Sequence, residues 1–186
     1  MRGTDPAFAA AARTLGLEFL RRGLGLVYGG GRTGLMFEIG RTIHQGGGRV
    51  IGVIPRGMVE QELAYTEPSG LRIVETMHER KALMAELSDG FIALPGGLGT
   101  MEEFFEVVTW AQLGMHRKPC GLLNVGGYFD PILAFMDRAE SMKFLQPEHR
   151  AMIRVESDPS RLLDLFERYR PPEADMARWA LDMSKT

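Results

Sequence analysis

Three shortages narrow what this chain can be. It has one cysteine in 186 residues, so no disulfide can form within it. Cys120 lies in the apolar stretch "PCGLLNV" and reads as a small buried hydrophobe. No apolar run approaches the 18 residues that suggest a membrane span, and no signal peptide is visible, so the default expectation is a cytoplasmic protein with no membrane partner. Charge of one sign is also missing. A net charge of −2 supplies none of the clustered positive charge that nucleic acid or an anionic membrane selects. The four histidines show no ligand spacing with Cys, Asp or Glu, so no metal site is expected.

What is present suits an ordinary globule: 45% hydrophobic and 25% charged residues, in a length typical of one domain. Residues 1–170 read as that domain, and residues 171–186, beyond Pro171-Pro172, read as a tail. Apolar strands are expected at 24–31, 49–55, 71–75, 90–95, 120–125 and 151–157. Helices are expected at 7–22, 34–45, 77–87, 100–113, 129–143 and 159–170. Residues 56–70 carry no clear period and read as a functional loop or short helix. Continuous apolar strands alternating with helices predict a doubly wound, Rossmann-like α/β fold, a parallel sheet with helices on both faces. Ligands in such folds bind beyond the carboxyl ends of strands. Two of the three glycine clusters, 29–31 and 96–99, fall at such ends. The third, 46–48, follows a helix and is a turn on the opposite side.

The stretch "LPGGLGTMEEFFEV" holds the most chemistry. Gly96, Gly97 and Gly99 permit close backbone approach, and a helix start attracts phosphate or carboxylate. It lacks the Lys-Ser/Thr of a Walker loop and the spacing of the dinucleotide fingerprint, and a tight strand–helix turn would use the same glycines. Thr100 suits a helix cap, and Thr100-x-x-Glu103 fits a capping box in which Glu103 reaches back to the Thr100 N–H. The alternative is that Glu103 faces a cleft and stabilises positive charge, as glycosidic cleavage through an oxocarbenium-like state requires. "ETMHERK" adds Arg80 and Lys81 near a helix N-terminus. Cations there oppose the helix dipole, which a bound anion would explain; two solvated surface charges would also satisfy the pattern.

Taken together, "PGGLGTMEE" resembles the P-G-G-x-G-T-x-x-E signature of the Lonely Guy family of cytokinin-activating phosphoribohydrolases, and "ETMHERK" resembles its companion motif. "LVYGGGRTGLM", "GGGRVIGVIP", "TWAQLGMHRKPCGLLNVGGYFD" and "FERY" are similar to further family blocks, so the resemblance runs from about Pro6 to Tyr169. It implies hydrolysis of an N6-substituted adenosine 5′-monophosphate, with AMP as a further candidate, to free base and ribose 5-phosphate without a cofactor. Relatives have been labelled lysine decarboxylases, yet only Lys81 of the four lysines lies near the glycine clusters, and nothing suggests a pyridoxal phosphate site.

Carried onto this chain, the resemblance places catalysis on Arg80 and Glu103. It places substrate contacts on Glu62, Arg80, Lys81, Gly97, Leu98, Gly99, Thr100, Met101, Glu102, Glu103 and Thr109. Gly29, Gly30, Gly31 and Gly96 would support the phosphate loop. Two departures stand out. The family's first strand and its C-G-S-S-type loop have no counterpart ahead of Arg2, and Met36-Phe37 stands where the family often has Met-Gly.

A second class of function, a non-catalytic carrier of a nucleotide or pterin cofactor, would use the same fold without needing both Arg80 and Glu103. A homodimer is expected in either case. Phe104, Val107, Val108 and Ala111 form one helical stripe, while Phe105, Trp110 and Leu113 fall away from it and would mark an interface that continues through Gly114, Met115 and His116.

Overall fold

A computed structural model describes residues 2–60 and 70–172 of the chain. The first helix, α1 (Pro6–Arg22), starts where Asp5 accepts a hydrogen bond from the Ala7 N–H at 2.8 Å, with Pro6 in the first turn. It stops at Gly23, whose φ of 67° lets the Gly23 and Leu24 N–H groups close back on the carbonyls of Leu20 and Phe19. The chain then alternates through β1 (Leu26–Tyr28), α2 (Gly34–Gln45), β2 (Val50–Pro55), α3 (Arg56–Glu60), β3 (Arg72–Val74), α4 (Met77–Leu87), β4 (Phe91–Ala93) and α5 (Leu98–Gln112). It continues through β5 (Cys120–Leu123), a 3₁₀ turn at Val125–Gly127, α6 (Asp130–Ser141), α7 (Pro147–Arg150), β6 (Ile153–Glu156) and α8 (Pro159–Glu167).

Every recorded strand pairing is parallel. The central strands are apolar throughout, as burial on both faces demands: β2 is "VIGVIP" and β5 is "CGLL", fully buried. On one face Leu15 of α1, Ile39 and Ile43 of α2 and Leu162 and Leu163 of α8 close a core over Tyr28, Val50 and Leu123. On the other, Phe104 of α5 and Met136 of α6 pack with Phe129 over Ala93, Cys120, Leu122 and Ile153. Phe105 joins this second core as a partly buried neighbour, so it is less available to an interface than its position off the helical stripe predicts.

The strands do not form one continuous ladder. Among the described residues they form two three-stranded sheets, ordered β1-β2-β3 and β4-β5-β6. Among the described residues, β1 pairs only with β2 and β4 only with β5. A cavity of about 970 Å³ is lined by β1 and β4, by Phe8, Leu15 and Phe19 of α1, and by the glycine loop after β4.

α2 carries a feature the sequence patterns do not announce. Glu38, only 2% exposed, accepts ion pairs from Arg2 at 2.9 Å, Arg13 at 3.2 Å and Arg41 at 3.5 Å. A buried carboxylate is tolerable only with such partners, and the Arg13 pair ties α1 to α2.

Candidate active site

Two loops end at the cavity: the one leaving β1 (Gly29) and the one leaving β4 (residues 94–97). The β4 loop differs from its expected form in a way that changes the role of Glu103. Helix α5 begins at Leu98, with Gly97 as its N-cap and no side chain capping it. Thr100 is therefore inside the first turn, and the Thr100–Glu103 capping box does not exist. The first helical bond runs from the Met101 N–H to the Gly97 carbonyl at 3.2 Å. The N–H groups of Leu98, Gly99 and Thr100 precede it and have no acceptor within the helix. No acidic residue occupies this first turn. It presents N–H groups without an intrahelical partner and the positive end of a 15-residue helix beside a cavity that Gly96, Gly97 and Thr100 line.

The glycines in this loop have different reasons to be there. A Cβ at Gly96 would overlap the Thr100 hydroxyl, so packing requires that glycine. A Cβ at Gly97 or Gly99 would meet nothing within 4 Å, and neither residue has a positive φ. The fold does not require glycine at either position, whereas close approach of an outside group to the backbone would. Tyr128 donates its hydroxyl to the Gly96 carbonyl at 2.7 Å, packs edge-on against Phe8 and lines the cavity, bracing the loop from the far side. Its place within the quoted "GGYFD" block was the signal available for it.

Glu103, freed from a cap, meets Arg80 of α4. The Arg80 Nη1 donates to Glu103 Oε1 at 2.6 Å, and its Nε donates to the Val53 carbonyl of β2 at 3.1 Å. The Arg80 side chain is 7% exposed and that of Glu103 34%. Glu103 lines the cavity; Arg80 is not among the lining residues and stands behind it. The arginine is therefore no solvated surface charge. It is a buried cation whose partner faces the open space. Lys81 is similarly occupied: its ammonium donates to Glu102 at 2.6 Å and Glu106 at 2.9 Å, and these two carboxylates raise its pKa. Lys81 and Glu106 both line the cavity, and the capping and anion-loop patterns gave no reason to single out Glu106.

The remaining expected residues fall less centrally. Gly29 lines the cavity, while Gly30 and Gly31 do not. Gly30 takes φ of 69° with Ile54 and Leu71 against it, which gives it a structural reason to be glycine. Leu98 is 91% exposed, and Glu102 is exposed beyond its contact with Lys81. Met101 packs against the second core cluster, and Thr109, three turns along α5, is exposed and outside the lining. Glu62 lies outside the described residues.

The family model described as "Possible lysine decarboxylase" matches residues 36–166. A probable cytokinin riboside 5′-monophosphate phosphoribohydrolase of Oryza sativa subsp. japonica is 49% identical over 173 residues, which is 93% of this chain and 70% of that protein. A cytokinin riboside 5′-monophosphate phosphoribohydrolase of Arabidopsis thaliana is 46% identical over 91% of this chain and 78% of its own length. Among solved structures, the molybdenum cofactor binding protein from the phototrophic bacterium Rippkaea orientalis matches with a TM-score of 0.66 at 21% identity, covering 90% of each chain. At that identity the likeness is one of fold, and it shows the Rossmann-like α/β class with helices flanking parallel strands.

Proposed function

The chain belongs to the Lonely Guy family of cytokinin riboside 5′-monophosphate phosphoribohydrolases, and from that premise we propose that it hydrolyses the N-glycosidic bond of N6-substituted adenosine 5′-monophosphates. The observation that carries this reading is a cavity-facing carboxylate, Glu103, held by a buried arginine beside the uncapped N-terminus of α5.

The two halves of the site suit the two ends of such a substrate. The 5′-phosphate takes the N–H groups of Leu98, Gly99 and Thr100, where the helix dipole favours negative charge and Gly97 and Gly99 leave the backbone open. Glu103 faces the ribose. As the bond from C1′ to the base nitrogen breaks, positive charge grows on the sugar ring. Opposite charges roughly 4 Å apart attract by about 4 kcal/mol at an effective dielectric near 20, a substantial part of a barrier reduction. Water supplies its hydroxide to C1′ and a proton to the departing base, leaving ribose 5-phosphate. Arg80 holds the Glu103 carboxylate in its direction, and in this arrangement it acts through Glu103. Lys81 is held by Glu102 and Glu106, and it would reach a phosphate by exchanging one of these carboxylates for it. These assignments need no metal or organic cofactor.

The working form we propose is a homodimer. At the C-terminal end of α5, Leu113 is 44% and Met115 68% exposed, and Trp110 is only partly covered. An apolar cluster of this kind at the end of the helix that begins in the active site favours a second copy as its cover. No helix among the described residues is long and apolar enough to cross a membrane. A cytoplasmic location and activity on plain AMP belong to the same proposal. Incubation with isopentenyladenosine monophosphate and with AMP, followed by chromatography for free base and ribose 5-phosphate, tests the reaction and ranks the two substrates.

A further inference from the structure

Gly29 directly follows β1, where the sequence suggests one more member of a phosphate loop. Its surroundings give it another task. A Cβ built on Gly29 would overlap Arg80 Nη2, come within 3.1 Å of Arg80 Cζ and lie 3.3 Å from Met36 Sδ. The guanidinium thus lies against the bare backbone of Gly29, with its other two nitrogens bound on different elements: Nε to Val53 of β2 and Nη1 to Glu103 of α5. The φ of Gly29 is not in the left-handed region, so an alanine would fit the backbone and only the space is at issue. The clashing atom is the end of a side chain, so the structure can relieve the overlap without moving the strand. What must move is the guanidinium, and with it the hydrogen bond that aims Glu103.

We propose that Gly29 is a positioning residue for the reaction: its missing side chain is the seat that holds the Arg80 guanidinium against β1 and so fixes the Glu103 carboxylate at the sugar. The proposal rests on the reading of Arg80 and Glu103 given above. It adds that the end of strand β1 acts on the active site through packing.

The test joins a catalytic and a non-catalytic readout on Gly29→Ala, Arg80→Ala and the double variant. The first is the ¹⁵Nε–¹Hε NMR signal of Arg80 without substrate, assigned by its loss in Arg80→Ala. It should shift or broaden in Gly29→Ala while the protein stays folded, with a melting temperature lowered no further than that of Glu103→Ala. The second is turnover of isopentenyladenosine monophosphate. Gly29→Ala should lower kcat roughly tenfold or more with a much smaller change in KM, and should add nothing in the Arg80→Ala background. An unchanged Arg80 signal overturns the seat whatever the enzyme does. Equal losses from Gly29→Ala with and without Arg80 overturn it too, because Gly29 would then act independently of the arginine. A displaced signal with wild-type turnover upholds the seat and instead refutes the catalytic reading of the Arg80–Glu103 pair.

Discussion

Arg80 and Glu103 lie on successive helices of the chain, 23 residues apart, and meet at 2.6 Å with the arginine buried and the glutamate facing the cavity. The asymmetry decides what each can do. A buried cation with one carboxylate partner fixes that partner's direction. A partly open carboxylate can reach a ligand.

The pair should be coupled in stability as well as in catalysis. Glu103→Ala leaves a buried Arg80 donor without its charge partner, which costs about 1–3 kcal/mol. For a domain of this size that is a fall in melting temperature of roughly 2–4 °C per kcal/mol. Glu103→Gln keeps an acceptor at the same place and should cost well under half as much. In a double-mutant cycle on thermal or urea unfolding, Arg80→Ala should remove most of the Glu103→Ala penalty. Additive losses would return Glu103 to a role local to its own helix.

The phosphate should be needed for turnover. The start of α5 offers backbone donors and the positive end of the helix dipole to an anion, so the nucleoside should be cleaved at least about 10²-fold less efficiently than its monophosphate, in kcat/KM. The loop is short and offers no cation ligands for a longer phosphate chain, so the triphosphate should also be a poor substrate. Comparable rates on the nucleoside and the monophosphate would remove the cradle from the account.

Trp110→Arg should split the proposed dimer and reduce activity together, because the interface and the site share α5. Sedimentation of the variant at micromolar concentration should report a monomer. A wild-type protein that sediments as a fully active monomer would end this part of the proposal.

Burial makes Cys120 a pH-dependent liability instead of a reactive group. It is 2% exposed, and burial pushes its thiol pKa up to about 12. Folded protein should therefore resist thiol reagents at pH 8 and react only on unfolding. The thiol stays protonated in the folded state while the unfolded thiol ionises near pH 8.5. Its contribution is neutral below that value, and stability falls as pH rises from about 8.5 toward 12. Cys120→Ala should flatten this alkaline slope in pH-dependent unfolding. An unchanged slope would assign it to other groups.

Much of this was legible in the sequence for a simple reason: apolar strands buried on two faces leave continuous runs, and helix ends leave local signals such as Asp5-Pro6 and Gly23. The main alternation of strands and helices followed from those runs, apart from the short helix α7. What escaped was set by contacts between distant segments. Thr100-x-x-Glu103 has the spacing of a capping box, but two residues, Leu98 and Gly99, join the helix ahead of it and move the cap to Gly97. Nothing local could show that, because the competitor for Glu103 was Arg80 on another helix. The buried Glu38 was invisible for the same reason, since two of its three arginines come from outside its own helix. The division of the strands into two sheets also depends on which edges find partners, which no run of residues reports. Gly29 and Gly97 look alike in sequence. Only their neighbours separate a glycine that seats a side chain from one that leaves room for a ligand.

The most direct measurement is product formation from isopentenyladenosine 5′-monophosphate by the wild-type chain and by Glu103→Gln, followed by chromatography. The account predicts free base and ribose 5-phosphate in equal amounts from the wild type, and a rate lower by roughly 10²-fold or more in a Glu103→Gln protein that still folds. Equal rates from the two proteins, or no base released by the wild type, would contradict it.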